Sequence, residues 1–313
     1  MNIFTTDAFL ETAGASFFPD RKRRIEVCRL SGQRLRLLVL DGTEVVGRMP
    51  FYDFPQPLDD VQGPVDREIV HLPRTVLRTV ELHGEPHGKI EGTQPSPYID
   101  WKKHETWAGF QAMWKANPLP KSYDGARQRR RLEREVGPIR FELDDTRPEV
   151  FDACVQWKSS QYIASGFPDM FANPRNITFF RRLRDRGVLM VSSLCAGDSL
   201  LAVHFGSWHD QRFGWWIPTY DPKFSRFSPG RVMLDELMKA SFDRGDREFD
   251  FLIGDESYKF LYATHNRVIG AVGNPPLKEV IFSKAKATVK ALLSTSPKAL
   301  ELARSLQRKL VTE

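Results

Sequence analysis

The chain has 313 residues, 41% hydrophobic and 27% charged, a mixture that suits two globular domains or one large one and excludes a disordered protein. Its 46 basic and 40 acidic residues leave a formal charge of +6, which favours an anionic ligand, whether a phosphate-bearing cofactor, a nucleic acid or a lipid surface. No stretch approaches the ~18 uncharged apolar residues of a membrane helix; residues 1–20 carry no basic leader region, and Cys28, Cys154 and Cys195 stand apart from one another, so the expectation is a cytoplasmic protein with neither a disulfide framework nor a metal site.

In chain order, the pattern predicts strands over 25–30, 34–40 and 43–48, the last two joined by the hairpin pair Asp41-Gly42. Pro50, Pro55, Pro57 and Pro64 then interrupt regular structure. Residues 71–98, punctuated by prolines and glycines, read as loops around one short helix over 74–82. Trp107, Phe110, Met113 and Trp114 recur at helical spacing up to Asn117-Pro118. A second helix over 123–136 carries Arg127, Arg129, Arg130, Arg131 and Arg134, interleaved with Glu133 and Glu135 as on a solvated face, and a strand over 139–143 follows.

The second half is more regular. Helices are predicted over 149–164 and 175–186, then strands over 188–195, 200–208 and 212–218, separated at hairpin distance by Gly197-Asp198 and His209-Asp210. A helix over 230–244, a strand over 248–253, a short helix over 256–263 and a strand over 267–272 complete the order, and residues 277–310 read as amphipathic helix broken at Pro297. The fold class is therefore mixed α/β, an α+β arrangement of mostly antiparallel sheet flanked by helices.

Three features of this half have residue types suited to chemistry. Phe227-Ser228-Pro229-Gly230-Arg231 opens a helix, where free N–H groups and a partial positive charge attract phosphate oxygens. Ser228 is expected to cap it, Gly230 to admit a ligand to the backbone, and Arg226 and Arg231 to add positive charge. In Asp250 to Phe260 a hydrophobic strand ends at Gly254, and Asp255 is expected to cap a helix carrying Tyr258, Lys259 and Tyr262. A phenol there suits a donor to a leaving group. His204 falls on the strand face with Ala202 and Gly206, where a substrate would find room. Simpler readings stand beside these: an ordinary capped helix, a packing tyrosine, a structural histidine. No phosphate-binding Gly-x-x-x-x-Gly-Lys-Ser/Thr loop, nucleophile elbow or metal-ligand spacing occurs.

The run from about Tyr123 to Thr264 resembles the GNAT-like acetyltransferase family of the cellulose-biosynthesis CelD type, related to the Fem aminoacyltransferases. The resemblance rests on the arginine-rich helix ending at Gly137, on Gln156-Trp157-Lys158 to Tyr162, on Ser228-Pro229-Gly230-Arg231, and on Phe249-Asp250-Phe251 with Gly254 to Lys259. It implies two GNAT-like lobes, here an N-terminal lobe over 1–122 and an acyltransferase domain over 123–275, with a helical tail over 276–313. It further implies acetyl-CoA or another acyl-CoA as donor, no metal, and transfer to an amine or hydroxyl of a small molecule or saccharide, often in polysaccharide or cell-envelope synthesis. From the chemistry of the residues themselves, cofactor contacts would fall to Arg226, Ser228, Gly230 and Arg231, and catalysis to Tyr258, Asp255, His204 and Lys259. Counted from Arg226, the usual pyrophosphate glycines are replaced by Pro229 and Arg231. An aminoacyl-tRNA donor, recognised by the arginine helix, is therefore the alternative, and a non-catalytic scaffold is a third.

Overall fold

The computed structural model describes residues 2–58, 64–84, 93–117 and 125–274. The chain opens with α1 (Asp7–Phe17), whose N-cap Thr6 accepts from Phe9 N–H, and the antiparallel β1 (Arg23–Leu30), β2 (Gln33–Leu40) and β3 (Glu44–Val45). β4 (Arg67–Ile69) joins β1 in parallel, giving a sheet of order β3-β2-β1-β4. Phe9, Leu10 and Ala13 of α1 are buried, as are Leu35, Leu37 and Leu38 of β2.

Next come β5 (Thr75–Gly84), β6 (Gln94–Asp100), α2 (Trp107–Ala116), α3 (Gly125–Glu135) and β7 (Ile139–Glu142). The helix expected over 74–82 is thus a strand. Thr75, Val76, Thr79 and Val80 are β-branched and suit a pleated surface, and β5 pairs with the last described strand along its length.

The second half follows its predicted order closely: α4 (Pro148–Ala164), α5 (Pro174–Asp185), the meander β8 (Leu189–Ala196), β9 (Ser199–His209) and β10 (Arg212–Tyr220), then α6 (Pro229–Asp243), β11 (Glu248–Asp250), α7 (Ser257–Tyr262) and β12 (His265–Asn274). These strands assemble into one eight-stranded sheet of order β5-β12-β6-β11-β10-β9-β8-β7. β5 and β6 lie within it, so the boundary expected at 122/123 runs between strands of one continuous sheet. The tail expected over 276–313 lies outside the described residues.

Helices cover both faces of this sheet. Val150, Phe151 and Cys154 of α4 pack with Phe180 of α5 and Phe205 of β9, while Val232, Met233, Leu237 and Met238 of α6 pack with Phe213, Phe249 and Leu201 on the other side. Among the described residues no helix is long and apolar enough to cross a membrane, and no group of His, Cys, Asp or Glu is placed to hold a metal ion.

Candidate functional site

Among the described residues, every pairing in the large sheet is antiparallel except one. β10 and β11 run parallel, matched from Arg212–Gly214 to Glu248–Asp250, and then separate. β10 continues to Tyr220, and among the described residues no strand lies along its vacated edge. The chain leaves the sheet at Asp250, whose Oδ1 accepts from Leu252 N–H at 2.9 Å, while Leu252 adopts a left-handed φ of 57°. Beneath this point lies a buried ionic group. Glu248 accepts from both Arg212 and Arg267, and Asp250 Oδ2 lies 3.2 Å from Arg267. The Arg267 guanidinium also sits 3.8 Å from the centre of the Tyr98 ring. Burial alone would raise the Glu248 pKa, but Arg267 and Arg212 outweigh it and hold the carboxyl at about 2.

Two clefts open above, of about 420 and 270 Å³, and share Lys158, Trp215, Pro218, Glu256 and Tyr258. The first follows β10 toward the start of α6, past Tyr220, Ser228, Gly230 and Arg231. The second is bordered by Phe51, Asp53, Tyr162 and Lys259.

Tyr258 stands at the junction. Its hydroxyl accepts from Trp215 Nε1 at 2.9 Å. An indole N–H can only donate, so the phenol's own proton is left for another acceptor. Burial pushes the phenol up to about 12, so it stays protonated at neutral pH. Lys158, on α4, donates to Pro218 O and Gln161 Oε1, both at 3.2 Å, which leaves one of its three N–H donors. Burial lowers its pKa.

The remaining sequence candidates divide between cleft and scaffold. Gly230 and Arg231 line the first cleft, with the Arg231 guanidinium 4.7 Å from the centre of the Tyr258 ring. Ser228 lines it too, but does not cap α6. Its φ of 53° is left-handed rather than the extended conformation a capping side chain needs. Its carbonyl instead accepts from Arg231 and Val232 N–H at 2.9 and 3.3 Å. Because Pro229 has no N–H, Gly230 supplies the free donor of the first turn. Arg226 is not in the cleft; it is exposed, lies over the Phe227 ring, and approaches Glu135 of α3 at 3.4 Å.

His204 is fully buried and stacked on Trp215 with ring centres 4.5 Å apart. Its Nε2 accepts from Trp216 N–H at 3.0 Å, and its Nδ1 is enclosed without a partner among the described residues. The strand face expected to admit substrate is filled by aromatic rings, so no ring nitrogen reaches either cleft. Burial drives its pKa down to about 3.

Asp255 is exposed, borders neither cleft and does not cap; α7 begins at Ser257, with Glu256 in the cap position. Lys259 is buried rather than solvated, donating to Ile253 O at 3.1 Å and pairing with Glu256 at 3.0 Å. Gly254, at φ 153°, makes this possible, since a side chain there would collide with Glu256 and the Lys259 ammonium. Lys158, Asp53 and Trp215 were not singled out from sequence; Lys158 sat within a segment carrying the family resemblance, but nothing local marked Asp53.

Residues 122–260 match the acetyltransferase (GNAT) domain family. Among solved structures, FemX is similar over 90% of this chain and 94% of its own, at 10% identity and a TM-score of 0.52. The C-terminal domain of a proposed lysylphosphatidylglycerol synthetase from Agrobacterium fabrum is similar over 91% of this chain and 94% of its own, at 11% identity and a TM-score of 0.49. A tandem GNAT protein from the clavulanic acid biosynthesis pathway shares 11% identity over 79% of this chain and 82% of its own, with a TM-score of 0.37. No curated protein sequence matches the chain. The fold is of the GNAT acyltransferase type, two sheets flanked by helices.

Proposed function

We propose that this protein transfers an acyl group, acetyl in the first instance, from coenzyme A to an amine or hydroxyl acceptor. The observation that carries the proposal is the junction of two clefts at Tyr258 and Lys158, over the point where β10 and β11 part. A donor and an acceptor approaching from opposite sides would meet there.

The first cleft suits the donor. The unpaired edge of β10 offers backbone groups to an extended chain bearing amides, such as pantetheine. The Gly230 N–H, the α6 dipole and Arg231 favour a pyrophosphate at its far end. Space fits as well: a side chain at Gly230 would meet only Tyr220, at 3.5 Å.

At the junction, Tyr258 would hydrogen-bond the departing sulfur. A phenol near 12 lies well above an ordinary thiol, so it stabilises the thiolate rather than fully protonating it. The free N–H of Lys158 would face the acyl oxygen as negative charge develops there. Lys259 holds the α7 turn against Ile253 and so keeps Tyr258 in place.

The alternative with a charged tRNA donor finds less support, because Arg129 pairs with Glu236 and Arg131 and Arg134 with Glu135 rather than presenting a free basic face. Calorimetric titration with acetyl-CoA tests the proposal. One saturable site per chain, competed by free coenzyme A, is the expected result, and no binding would count against it.

A further inference from the structure

Buried His204 takes no direct part in the chemistry proposed for the clefts, yet its ring is held on every side. Along β9 and β10 the register passes from Gly214 opposite Ser207 to Ile217 opposite Phe205, three steps on one strand against two on the other. Trp215 and Trp216 therefore share a bulge opposite Gly206. A bulge leaves its extra residue out of the ladder, re-aims the side chains beside it and is common next to active sites. The N–H it frees still needs an acceptor. For Trp216 that acceptor is His204 Nε2, at 3.0 Å.

The sequence makes room for this contact and keeps the ring able to accept. A side chain at Gly206 would stand 2.6 Å from His204 Cε1, so glycine is what admits the imidazole. Burial, with the Lys158 charge nearby, holds the ring pKa at about 3 and the imidazole neutral. An imidazolium carries N–H on both nitrogens and could not accept. With Nε2 accepting, the proton sits on Nδ1, which is enclosed without a partner among the described residues. A buried N–H left unpaired costs free energy. An apolar ring would spare that cost, but it would strand Trp216 N–H instead.

The same imidazole lies against the indole that reaches the site. His204 and Trp215 stack with ring centres 4.5 Å apart and planes 16° from parallel. Trp215 Nε1 donates to the Tyr258 hydroxyl at 2.9 Å, where the two clefts meet. Such a bond prefers an angle above about 150° and weakens steeply below about 120°, so the tilt of the indole decides whether it forms.

We propose that His204 is a positioning residue for acyl transfer: it fixes the β10 bulge through Trp216 N–H, and by stacking on Trp215 it sets the indole that holds the Tyr258 hydroxyl at the cleft junction. This rests on the acyl-transfer assignment and deepens it. No proton passes through His204, which borders neither cleft. Its effect on the reaction runs through Tyr258. Removing the acceptor should therefore cost turnover without donor affinity, and the cost should vanish once the Tyr258 hydroxyl is gone. A histidine that only filled the core would do neither.

The test uses the full-length protein. His204→Gln keeps a carbonyl acceptor near the place of Nε2, His204→Phe keeps a ring without one, and His204→Asn carries an amide too short to reach Trp216 N–H. The last two guard against one variant that fails to fold. With nitrogen-15-labelled tryptophan, the chain's seven indoles are followed by their N–H signals, and the one missing from Trp215→Phe belongs to Trp215. Tyr258→Phe deletes a single oxygen, so the displacement it causes in that signal reports the bond. The displacement should appear in wild type and His204→Gln and be absent from the His204→Phe and His204→Asn backgrounds.

Thiol release from saturating acetyl-CoA, with hydroxylamine as the probe acceptor and the uncatalysed rate subtracted, should follow the same pattern. His204→Phe and His204→Asn should lower kcat by about tenfold or more, with Kd for acetyl-CoA within about threefold of wild type. Adding Tyr258→Phe should bring each to the floor of Tyr258→Phe alone, about 10²-fold down, and no lower. His204→Gln should restore most of the rate. A full Tyr258→Phe displacement in the His204→Phe and His204→Asn backgrounds, or rate losses that multiply in the double variants, would overturn the proposal. The indole comparison decides whether or not hydroxylamine is accepted. Wild-type protein that binds no acetyl-CoA would instead remove the acyl-transfer assignment beneath it.

Discussion

Replacing Gly230 by Asp separates a donor site from an ordinary helix start, because stability and affinity should move in opposite directions. A Cβ at this position meets only Tyr220 Cδ1, at 3.5 Å, an ordinary contact. In the first turn, Asp relieves part of the ~1 kcal/mol penalty of helical glycine and adds about 0.3–1 kcal/mol through the helix dipole. The variant should therefore melt at or slightly above the wild-type temperature. A pyrophosphate on the Gly230 N–H would then lie about 4 Å from the new carboxylate. One like-charge pair at that distance costs about 4 kcal/mol at an effective dielectric of 20, or about 10³-fold in Kd. Calorimetry with acetyl-CoA and thermal unfolding on the same samples measure both quantities, and Gly230→Asn supplies the uncharged control. If Gly230→Asp keeps acetyl-CoA affinity within about threefold of wild type, the phosphate is not bound at this turn and the placement of the donor is wrong.

Tyr258→Phe should leave acetyl-CoA binding nearly intact while lowering the turnover rate about 10²-fold in the thiol-release assay, and should cost about 1–3 kcal/mol in denaturant unfolding because Trp215 Nε1 loses its acceptor. His204 titrates near 3 when folded and near 6.5 when unfolded, so its contribution is present above pH 6.5 and is lost as pH falls toward 3. Below pH 6.5 this group alone should remove about 1.4 kcal/mol of stability per pH unit, a slope missing from His204→Gln when the two unfolding curves are subtracted. Asp53 has the opposite sign: its raised pKa gives stability present below about 3.8 and lost as pH rises through 6, so Asp53→Asn should flatten that part of the profile. Arg267→Met strands Asp250 in the interior and leaves Glu248 with Arg212 alone, so it should destabilise the fold by about 3–5 kcal/mol in denaturant unfolding; a loss under 1 kcal/mol would mean the ionic group is not a fixed foundation of the cleft.

The architecture of the second half was legible because its elements announce themselves locally. Turn pairs divide the meander, and α6 shows its apolar stripe, so the order from α4 to β12 follows from residues a few positions apart. The strand β5 was hidden for the opposite reason. Val76, Leu77 and Val80 fit helical spacing, and the partner that makes the run a strand is β12, far along the chain. Site residues divide the same way. Gly230, Arg231 and Tyr258 border the first cleft because the elements that carry them were read correctly. His204 was misplaced because strand alternation identifies a face but not what covers it; here Trp215 does. Asp53 left no local trace, since what sets it against the cleft is a contact 200 positions away.

The run from Asp250 to Lys259 carries the most specific resemblance to a known family, yet much of its side-chain chemistry is architectural. Asp250 turns the chain out of the sheet, Leu252 accepts a left-handed backbone, Gly254 clears space, and Lys259 fills it with a bond to Ile253. Those steps end β11 after its third residue while β10 continues, and the difference in length is the cleft. A sequence signature of this kind encodes where a strand must stop. The groups we assign to the reaction then converge on that gap from separate elements, Tyr258 from α7 and Lys158 from α4, with Asp53 of the N-terminal segment bordering the second cleft. Substitutions within the run should therefore alter donor and acceptor binding together by reshaping the gap, whereas substitutions at Gly230 should affect the donor without the acceptor.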